Sequence, residues 1–392
     1  MNDVVILSGV RTAIGDFGGG LKDQAPSRLA SVCIAAAIER AGIAPAEVGH
    51  VVLGNVIHTE ARDMYLSRVA AIEAGIPVET PALTLNRLCG SGLQAIISAA
   101  QAIMLGDTKV AVAGGAESMS RAPYALPGAR WGTRMGEAAV VDMLTGALTD
   151  PFGNGHMGIT AENVAQRYGV SRDDQDRFAV ESHLRAAVAV AEGRFGDQIL
   201  PIVQEGRKGV IRFETDEHVR AEVSVEDLSR LRPVFRKDGS VTAGNASPIN
   251  DGAAALVLMD AGEATRRGAK PLARIVAYAH SGVAPDEMGM GPVPAVRQVL
   301  KRAGLSVADL DVIESNEAFA AQACAVSRQL DLPPDRVNPN GGAVALGHPI
   351  GATGAIITIK ALYELARIGG RRALMTMCIG GGQGIAMIIE RA

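Results

Sequence analysis

Apolar residues recur along this chain in two rhythms. Ser27–Ala41, "SRLASVCIAAAIERA", spaces them every three to four positions, which puts one face of a helix against a core. Arg62–Ala74 and Gly92–Leu105 repeat that spacing. Short apolar runs at Val4–Ser8, Val51–Val56, Ala82–Leu85 and Val110–Ala113 predict buried strands. The same alternation returns late in the chain. Helices are predicted over Ala295–Ala303, Ala318–Leu330 and Gly354–Ile368, and strands over Arg274–Ala279, Asp311–Ser315 and Leu374–Met377. Alternating strands and helices predict an α/β molecule with mainly parallel sheets, covered by helices.

The two stretches are copies of each other. "RAGIAPAEVGHVVLGN" (Arg40–Asn55) matches "RAGLSVADLDVIESNE" (Arg302–Glu317), with Gly42 paired to Gly304 at an offset of 262. "GSGLQAIISAAQAIMLG" matches "GATGAIITIKALYELARIG", with Gly92 paired to Gly354 at the same offset. One offset held over about 50 residues predicts two homologous α/β halves. The first spans residues 1–118 and is completed by 249–270, where Asn250–Asp260 reads as a buried strand returning to its sheet. The second spans 271–392. Residues 119–248 read as an inserted loop domain, with Trp131, a mixed-charge run and one clear helix, Arg172–Glu192, capped by Ser171.

Composition narrows the class. At 392 residues the chain is too long for one simple core. Apolar residues make up 48%, aromatics only 3%, and there are 46 glycines, so tight packing of small aliphatic side chains is expected. A net charge of −4 lacks the basic footprint of a nucleic-acid binder. No apolar stretch is read as approaching a membrane span, and the start, "MNDVVILSGVRTAIG", is not a secretion signal, so the chain is expected in the cytoplasm. The four cysteines form no CxxC pair; Cys33 and Cys324 read as core. No close histidine pairing marks a metal site, and none is expected.

Four stretches carry chemistry. "NRLCGSG" places Cys89 between a strand and the start of a helix, where free N–H groups and the helix dipole should lower a thiol's pKa; a small thiol in a tight turn is the competing reading. "GHPIGATG" holds His348 in extended backbone before Pro349. The offset sets His348 opposite Asn86, three residues from Cys89, so a pseudo-two-fold axis would bring both into one cleft. "MCIGGGQG" puts Cys378 at a strand end before glycines whose N–H groups suit an oxyanion hole; it has neither the Lys-Ser/Thr of a P-loop nor a full GxGxxG. "ESNEAFAAQA" puts Asn316 and Glu317 before a helix, where Asn316 is either a cleft residue or an N-cap.

In this order and spacing the four stretches resemble the thiolases, the acyl-CoA acetyltransferases, over essentially the whole chain. "GNVIHTEARDMYLSRVAA" and "HMGITAENVA" look most like bacterial broad-specificity β-ketothiolases of polyhydroxyalkanoate synthesis. The resemblance implies a layered α-β-α-β-α fold and a reversible condensation of acetyl-CoA with a short acyl-CoA. It implies no cofactor beyond the CoA thioester substrates. Cys89 would carry the acyl group and His348 would activate it. Cys378 would move the α-proton, Asn316 would orient a water beside His348, and the N–H groups of Cys89 and Gly380 would form a second oxyanion hole. CoA would contact Arg220, Ala243 and Ser247, with His156, Met157, Met288, Ala318 and Phe319 around the pantetheine end and acyl pocket. Arg207, Lys208 and Arg212 would be phosphate partners, unless they form only a solvated face. "MSRAPYALPGARWGTRMG" resembles a loop that pairs dimers into a homotetramer. Two departures stand out: Pro248 after "GNAS", where glycine is usual, and Ser315 before "NEAF", where alanine is commoner. Other readings are a degradative thiolase such as one acting on β-ketoadipyl-CoA, a decarboxylating ketoacyl synthase, and a non-catalytic acyl-CoA-binding protein.

Overall fold

The computed structural model describes residues 3–206 and 209–392, so Arg207 and Lys208 lie outside the described residues. The first half runs β1 (Val4–Arg11), α1 (Pro26–Ala41), β2 (His50–Gly54), α2 (Leu66–Glu73), β3 (Ala82–Leu85), α3 (Ser91–Leu105) and β4 (Val110–Ser118). Residues 119–248 carry α4 (Met157–Arg167), α5 (Arg172–Ala191) and a hairpin of Ile202–Gly206 with Gly209–Phe213. Then come β5 (Asn250–Asp260), β6 (Ala273–Gly282), α6 (Pro292–Ala303), β7 (Val312–Ser315), α7 (Ala320–Gln329), α8 (Thr353–Ile368), β8 (Arg372–Ile379) and β9 (Gln383–Arg391). The repeat is visible in the helix ends. α1 and α6 each begin on a proline and stop at a glycine with left-handed φ, 65° at Gly42 and 66° at Gly304. Ser171 Oγ caps α5 by accepting from Asp174 N–H at 3.0 Å.

The main strands lie in the order β7-β8-β9-β6-β1-β5-β4-β2-β3. About the β6/β1 junction four strands on each side correspond, β1 to β6, β5 to β9, β4 to β8 and β2 to β7, and the edge strand β3 has no counterpart in this order. The junction itself is two residue pairs, Val5 with Arg274 and Ile6 with Ala273. The predicted mainly parallel sheet is corrected. Only β2 with β3, β2 with β4 and β7 with β8 run parallel, and the other pairings in this order are antiparallel. Each half folds a return strand, β5 or β9, beside its parallel group. Between β8 and β9 only Gly380–Gly382 intervene, and so short a link joins antiparallel neighbours alone. β9 is a strand that the predicted elements lack: it follows the glycines of "MCIGGGQG", whose N–H groups read as an oxyanion hole.

The helices complete the layers. α3 packs on β4, β2 and β5, while α8 packs on β8 and β7 and reaches β4 and β5. These two helices therefore lie between the halves, with α1 and α2 outside one and α6 outside the other. They cross near their first turns. A Cβ on Gly92 would sit 2.8 Å from Ala355 N, and one on Gly354 would sit 2.1 Å from Leu93 N. Backbone lies on backbone there, so only glycine fits, once in each copy of the repeat. The span Leu88–Leu105, mostly α3, is 18 residues long and apolar enough to cross a membrane by composition, which corrects the reading that no stretch approaches that length. Here that apolarity faces the two sheet halves.

Two predicted helices start late. Ala61–Tyr65 is a 3-10 turn and α2 begins at Leu66. α7 begins at Ala320, because Phe319 is extended and the backbone on either side of it is bonded to the "GNAS" segment: Ser247 N–H donates to Ala318 O and Ala320 N–H to Asn245 O. Asn316 is therefore not the N-cap of α7. Cys33 is buried as expected, but Cys324 is only partly so.

A buried ion pair ties residues 119–248 to β1. The Arg11 guanidinium donates to both Asp216 oxygens (2.8 and 3.0 Å) and to Gln198 Oε1 (2.8 Å), and it stacks 5.1 Å from the Phe195 ring centroid. Both charged side chains are fully buried. Asp216→Ala leaves the guanidinium inside without its anion, and a loss of about 3–5 kcal/mol is expected. A urea midpoint equal to that of the unaltered protein would show the pair contributes nothing.

Candidate active site

The turn from β3 into α3 carries Cys89. Leu88 holds φ 44°, the left-handed region that a branched side chain enters only under constraint. Backbone bonds impose it: Gly90 N–H donates to Arg87 O (3.0 Å), Ser91 N–H donates to Leu88 O (2.9 Å), and Ser91 Oγ accepts from Arg87 N–H (2.8 Å). The end of β8 lies directly on this turn. A Cβ on Gly90 would stand 2.5 Å from Ile379 Cδ1, and one on Gly380 would stand 3.1 Å from Leu88 Cδ1. That contact brings Cys378 and Gly380 beside Cys89. The Gly380 N–H faces the Cys89 thiol, and Cys89 is near enough to push the Cys378 thiol further up than burial alone does. Both thiols are free.

His348 arrives from the loop before α8. Its backbone N–H donates to Asn250 Oδ1 at 2.8 Å. Its Nδ1 lies 2.7 Å from Thr353 Oγ1, whose own hydrogen goes to Pro349 O at 2.9 Å. Thr353 therefore accepts from Nδ1–H, and this assigns the ring proton to Nδ1. Nε2 keeps its lone pair and has no hydrogen-bond partner among the described residues.

The electrostatics correct one expectation. Burial pushes the Cys89 thiol up to about 11 against the N–H groups of Gly380 and Cys89 itself, with the Glu117 charge adding to the rise. Burial also holds His348 down to about 4. Desolvation outweighs the helix terminus, so the resting pair is a neutral thiol and a neutral imidazole. Alkylation of Cys89 by iodoacetamide, followed on its peptide by mass spectrometry, is expected to accelerate about tenfold per pH unit from pH 7 to 9. A plateau near neutrality would reveal a thiolate–imidazolium pair instead.

Cys89, His348 and Gly380 open on one cleft of about 630 Å³. Arg220, Ala243, Ser247, His156, Met157, Met288, Ala318 and Phe319 all line it. His156 accepts from Gly158 N–H (3.1 Å) at the start of α4, and its ring stacks on Phe235 at 4.8 Å. Cys378 and Asn316 are not on the lining; both are buried behind it. Arg212 is on the exposed hairpin, paired with Glu214, and is not on the lining either. Pro248 is part of the wall.

Two family models cover almost all of the chain: the thiolase N-terminal domain over residues 4–262 and the thiolase C-terminal domain over 269–391. The chain belongs to the thiolase family. It is 64% identical over 390 residues to the beta-ketothiolase BktB of Cupriavidus necator, covering 99% of each chain. It is 51% identical over 393 residues to an acetyl-CoA acetyltransferase of Pseudomonas aeruginosa, covering 100% of each. Among solved structures, the Bacillus anthracis acetyl-CoA acetyltransferase superposes with a TM-score of 0.98 at 47% identity, covering 100% of this chain and 99% of that one. Human mitochondrial 3-ketoacyl-CoA thiolase in complex with CoA gives 0.96 at 44%, covering 100% and 98%.

The thiolase site also has residues that sequence reasoning missed. Glu117, at the end of β4, is buried and accepts from the N–H groups of Val56 (3.0 Å), Ile57 (3.1 Å) and Gly351 (2.9 Å). It thus fastens the loop after β2 to the loop of His348, and burial pushes it up to about 8 against those donors. Phe235, Asp16 and His218 also line the cleft, with His218 Nδ1 3.0 Å from Asp16 Oδ1. Asp16 and His218 are 202 residues apart in sequence, and no local pattern links them.

Proposed function

We infer that the protein is an acetyl-CoA C-acetyltransferase, a β-ketothiolase that condenses acetyl-CoA with acetyl-CoA or a short acyl-CoA to a 3-ketoacyl-CoA and releases CoA, and that it works through an acyl-Cys89 intermediate. The observation that carries the mechanism is the convergence of the Cys89 thiol, the Gly380 N–H and the bare His348 Nε2 on one cleft. His348 Nε2 takes the thiol proton as Cys89 Sγ attacks the thioester carbonyl. The C–S bond to CoA breaks, and the departing sulfur takes the Cys378 proton, which leaves the Cys378 thiolate and keeps His348 protonated at Nε2. In the second half, Cys378 removes the α-proton of acetyl-CoA, and the enolate carbon attacks the acyl-Cys89 carbonyl. The C–S bond to Cys89 breaks as the new C–C bond forms, and Cys89 Sγ takes its proton back from His348 Nε2. Thiolysis reverses these steps, with Cys378 giving its proton to the departing carbon. A thiol raised by burial suits both directions: at rest it is a proton donor, and its thiolate is a strong base for a weak carbon acid.

The N–H groups of Cys89 and Gly380 hold one developing oxyanion. His348 and a water oriented by Asn316 hold the other, each donor contributing on the order of 10²–10³ in rate. CoA runs along Arg220, Ala243 and Ser247, its pantetheine end between His156, Met157, Met288, Ala318 and Phe319. Cytoplasmic location and a place in polyhydroxyalkanoate synthesis belong to this reading. So does a homotetramer, supported by the exposure of Trp131 (88%) and Met135 (103%) on the loop after β4. Light scattering showing a monomer would refute the tetramer.

Mixing the protein with acetoacetyl-CoA and CoA is expected to consume the β-ketothioester absorbance; folded protein that leaves it unchanged would favour a binding role. Leu88 and Met157 beside Gly380 are apolar. Straight-chain β-ketoacyl-CoAs are therefore expected to turn over faster than β-ketoadipyl-CoA, and the opposite order would indicate a degradative dicarboxylic thiolase.

A further inference from the structure

Behind the cleft, between β7 and α8, lies a second cavity of about 20 Å³. It has room for a single water. Glu314, Ser315, Asn316, Thr353 and Lys360 are among its walls. Local geometry explains the grouping. Glu314 and Asn316 are two apart at the end of a strand and share a side, while Thr353 and Lys360 are seven apart on α8 and share a helix face.

The polar groups there are incompletely paired. Lys360 Nζ donates to Glu314 Oε2 (2.7 Å) and to Gly341 O (2.6 Å), and both charged side chains are at most 2% exposed. An ammonium carries three hydrogens, so one remains. Glu314 Oε1, Ser315 Oγ and both amide atoms of Asn316 have no partner among the described residues. Thr353 is already committed to His348 and Pro349. Buried polar atoms left bare are costly, and here they converge on a space of one water's size.

We propose that Lys360 and Glu314 are positioning residues for Asn316: a water shared among them fixes the direction of the Asn316 amide at the rear of the acyl-transfer site. The proposal rests on the reading of Asn316 as a group that orients a water beside His348. A water that accepts the third ammonium hydrogen and donates to Glu314 Oε1 keeps one hydrogen, which Asn316 Oδ1 can take. The amide NH₂ is then turned the other way, free to donate. Without a charged pair behind it, the amide has two nearly equivalent orientations, one of which presents the wrong group. Burial pushes Glu314 up to about 7, and the Lys360 ammonium opposes that rise.

The test compares charge removal with charge imbalance in the full chain. Lys360→Met strands a buried carboxylate and is expected to lower both the melting temperature and kcat. Lys360→Met/Glu314→Gln removes both charges at similar volume. It is expected to melt near the unaltered protein, hold KM for acetoacetyl-CoA and CoA within about twofold, and lose kcat by about 10- to 100-fold. A double variant with undiminished kcat overturns the proposal, since the pair would then be structural only. Should neither variant fold, a high-resolution crystal structure of the unaltered protein decides. A water bonded to Lys360 Nζ, Glu314 and Asn316 is expected, and a dry cavity or a water on Asn316 alone overturns it. Asn316→Ala separates the two levels. If it keeps full activity, the reading of Asn316 fails and this proposal with it; if it collapses while the double variant does not, only this proposal fails.

Discussion

Cys89→Ser is expected to lower thiolysis of acetoacetyl-CoA by about 10⁴-fold or more while leaving CoA affinity within a few-fold. The exchange alters one atom. The turn that holds residue 89 is built from the backbone of Arg87, Leu88 and Gly90 and from the Ser91 hydroxyl, so its shape does not depend on the thiol. What changes is the acidity of the nucleophile. His348, held down to about 4, is a weak base, and a serine hydroxyl is a far weaker acid than a thiol. The acyl-enzyme then fails to form, although the cleft walls proposed to hold CoA are untouched. Calorimetric CoA titration beside steady-state rates checks this. A variant within tenfold of the unaltered rate would remove Cys89 from the mechanism.

Cys378→Ala separates the two halves of the reaction. Attack of Cys89 on acetyl-CoA uses Cys89, His348 and the Gly380 N–H, none of which the substitution removes, and CoA can leave as a thiolate and take its proton from water. Exchange of labelled CoA into acetyl-CoA should therefore survive within about tenfold, while condensation and thiolysis fall by about 10³-fold, within the span a general acid–base group supplies. The residue is buried at the end of β8 opposite Gly384, so the deleted sulfur leaves only a small gap. If exchange and condensation fall together, Cys378 shapes the site but does not move the α-proton.

The site was legible in the sequence to the extent that its chemistry is local. Cys89 between strand and helix, His348 before a proline, and Cys378 before three glycines each stand out because a tight backbone and a reactive side chain are adjacent in the chain. The offset of 262 was legible for the same reason: it repeats caps, turns and the crossing glycines Gly92 and Gly354. The resemblance to the thiolases, carried by those motifs, named the cleft residues from Arg220 to Phe319 that the structure gathers around Cys89. Glu117 escaped because its role is to receive three N–H groups from two distant loops, and nothing beside it in the chain announces that.

By itself, the sequence determined the repeat at one offset, the helix stops at Gly42 and Gly304 and the identity of the reactive side chains, because capping and glycine conformations are set by neighbours in the chain. Only the tertiary structure decided the strand directions, since a return strand such as β5 finds its place by burial against β1 and β4, far away in the chain. It also decided the protonation of the site. A helix terminus favours a thiolate wherever it occurs, but here the two halves close over Cys89 and His348 and withdraw both from water. Desolvation then reverses the local trend, leaving a neutral pair that must exchange its proton during the reaction itself.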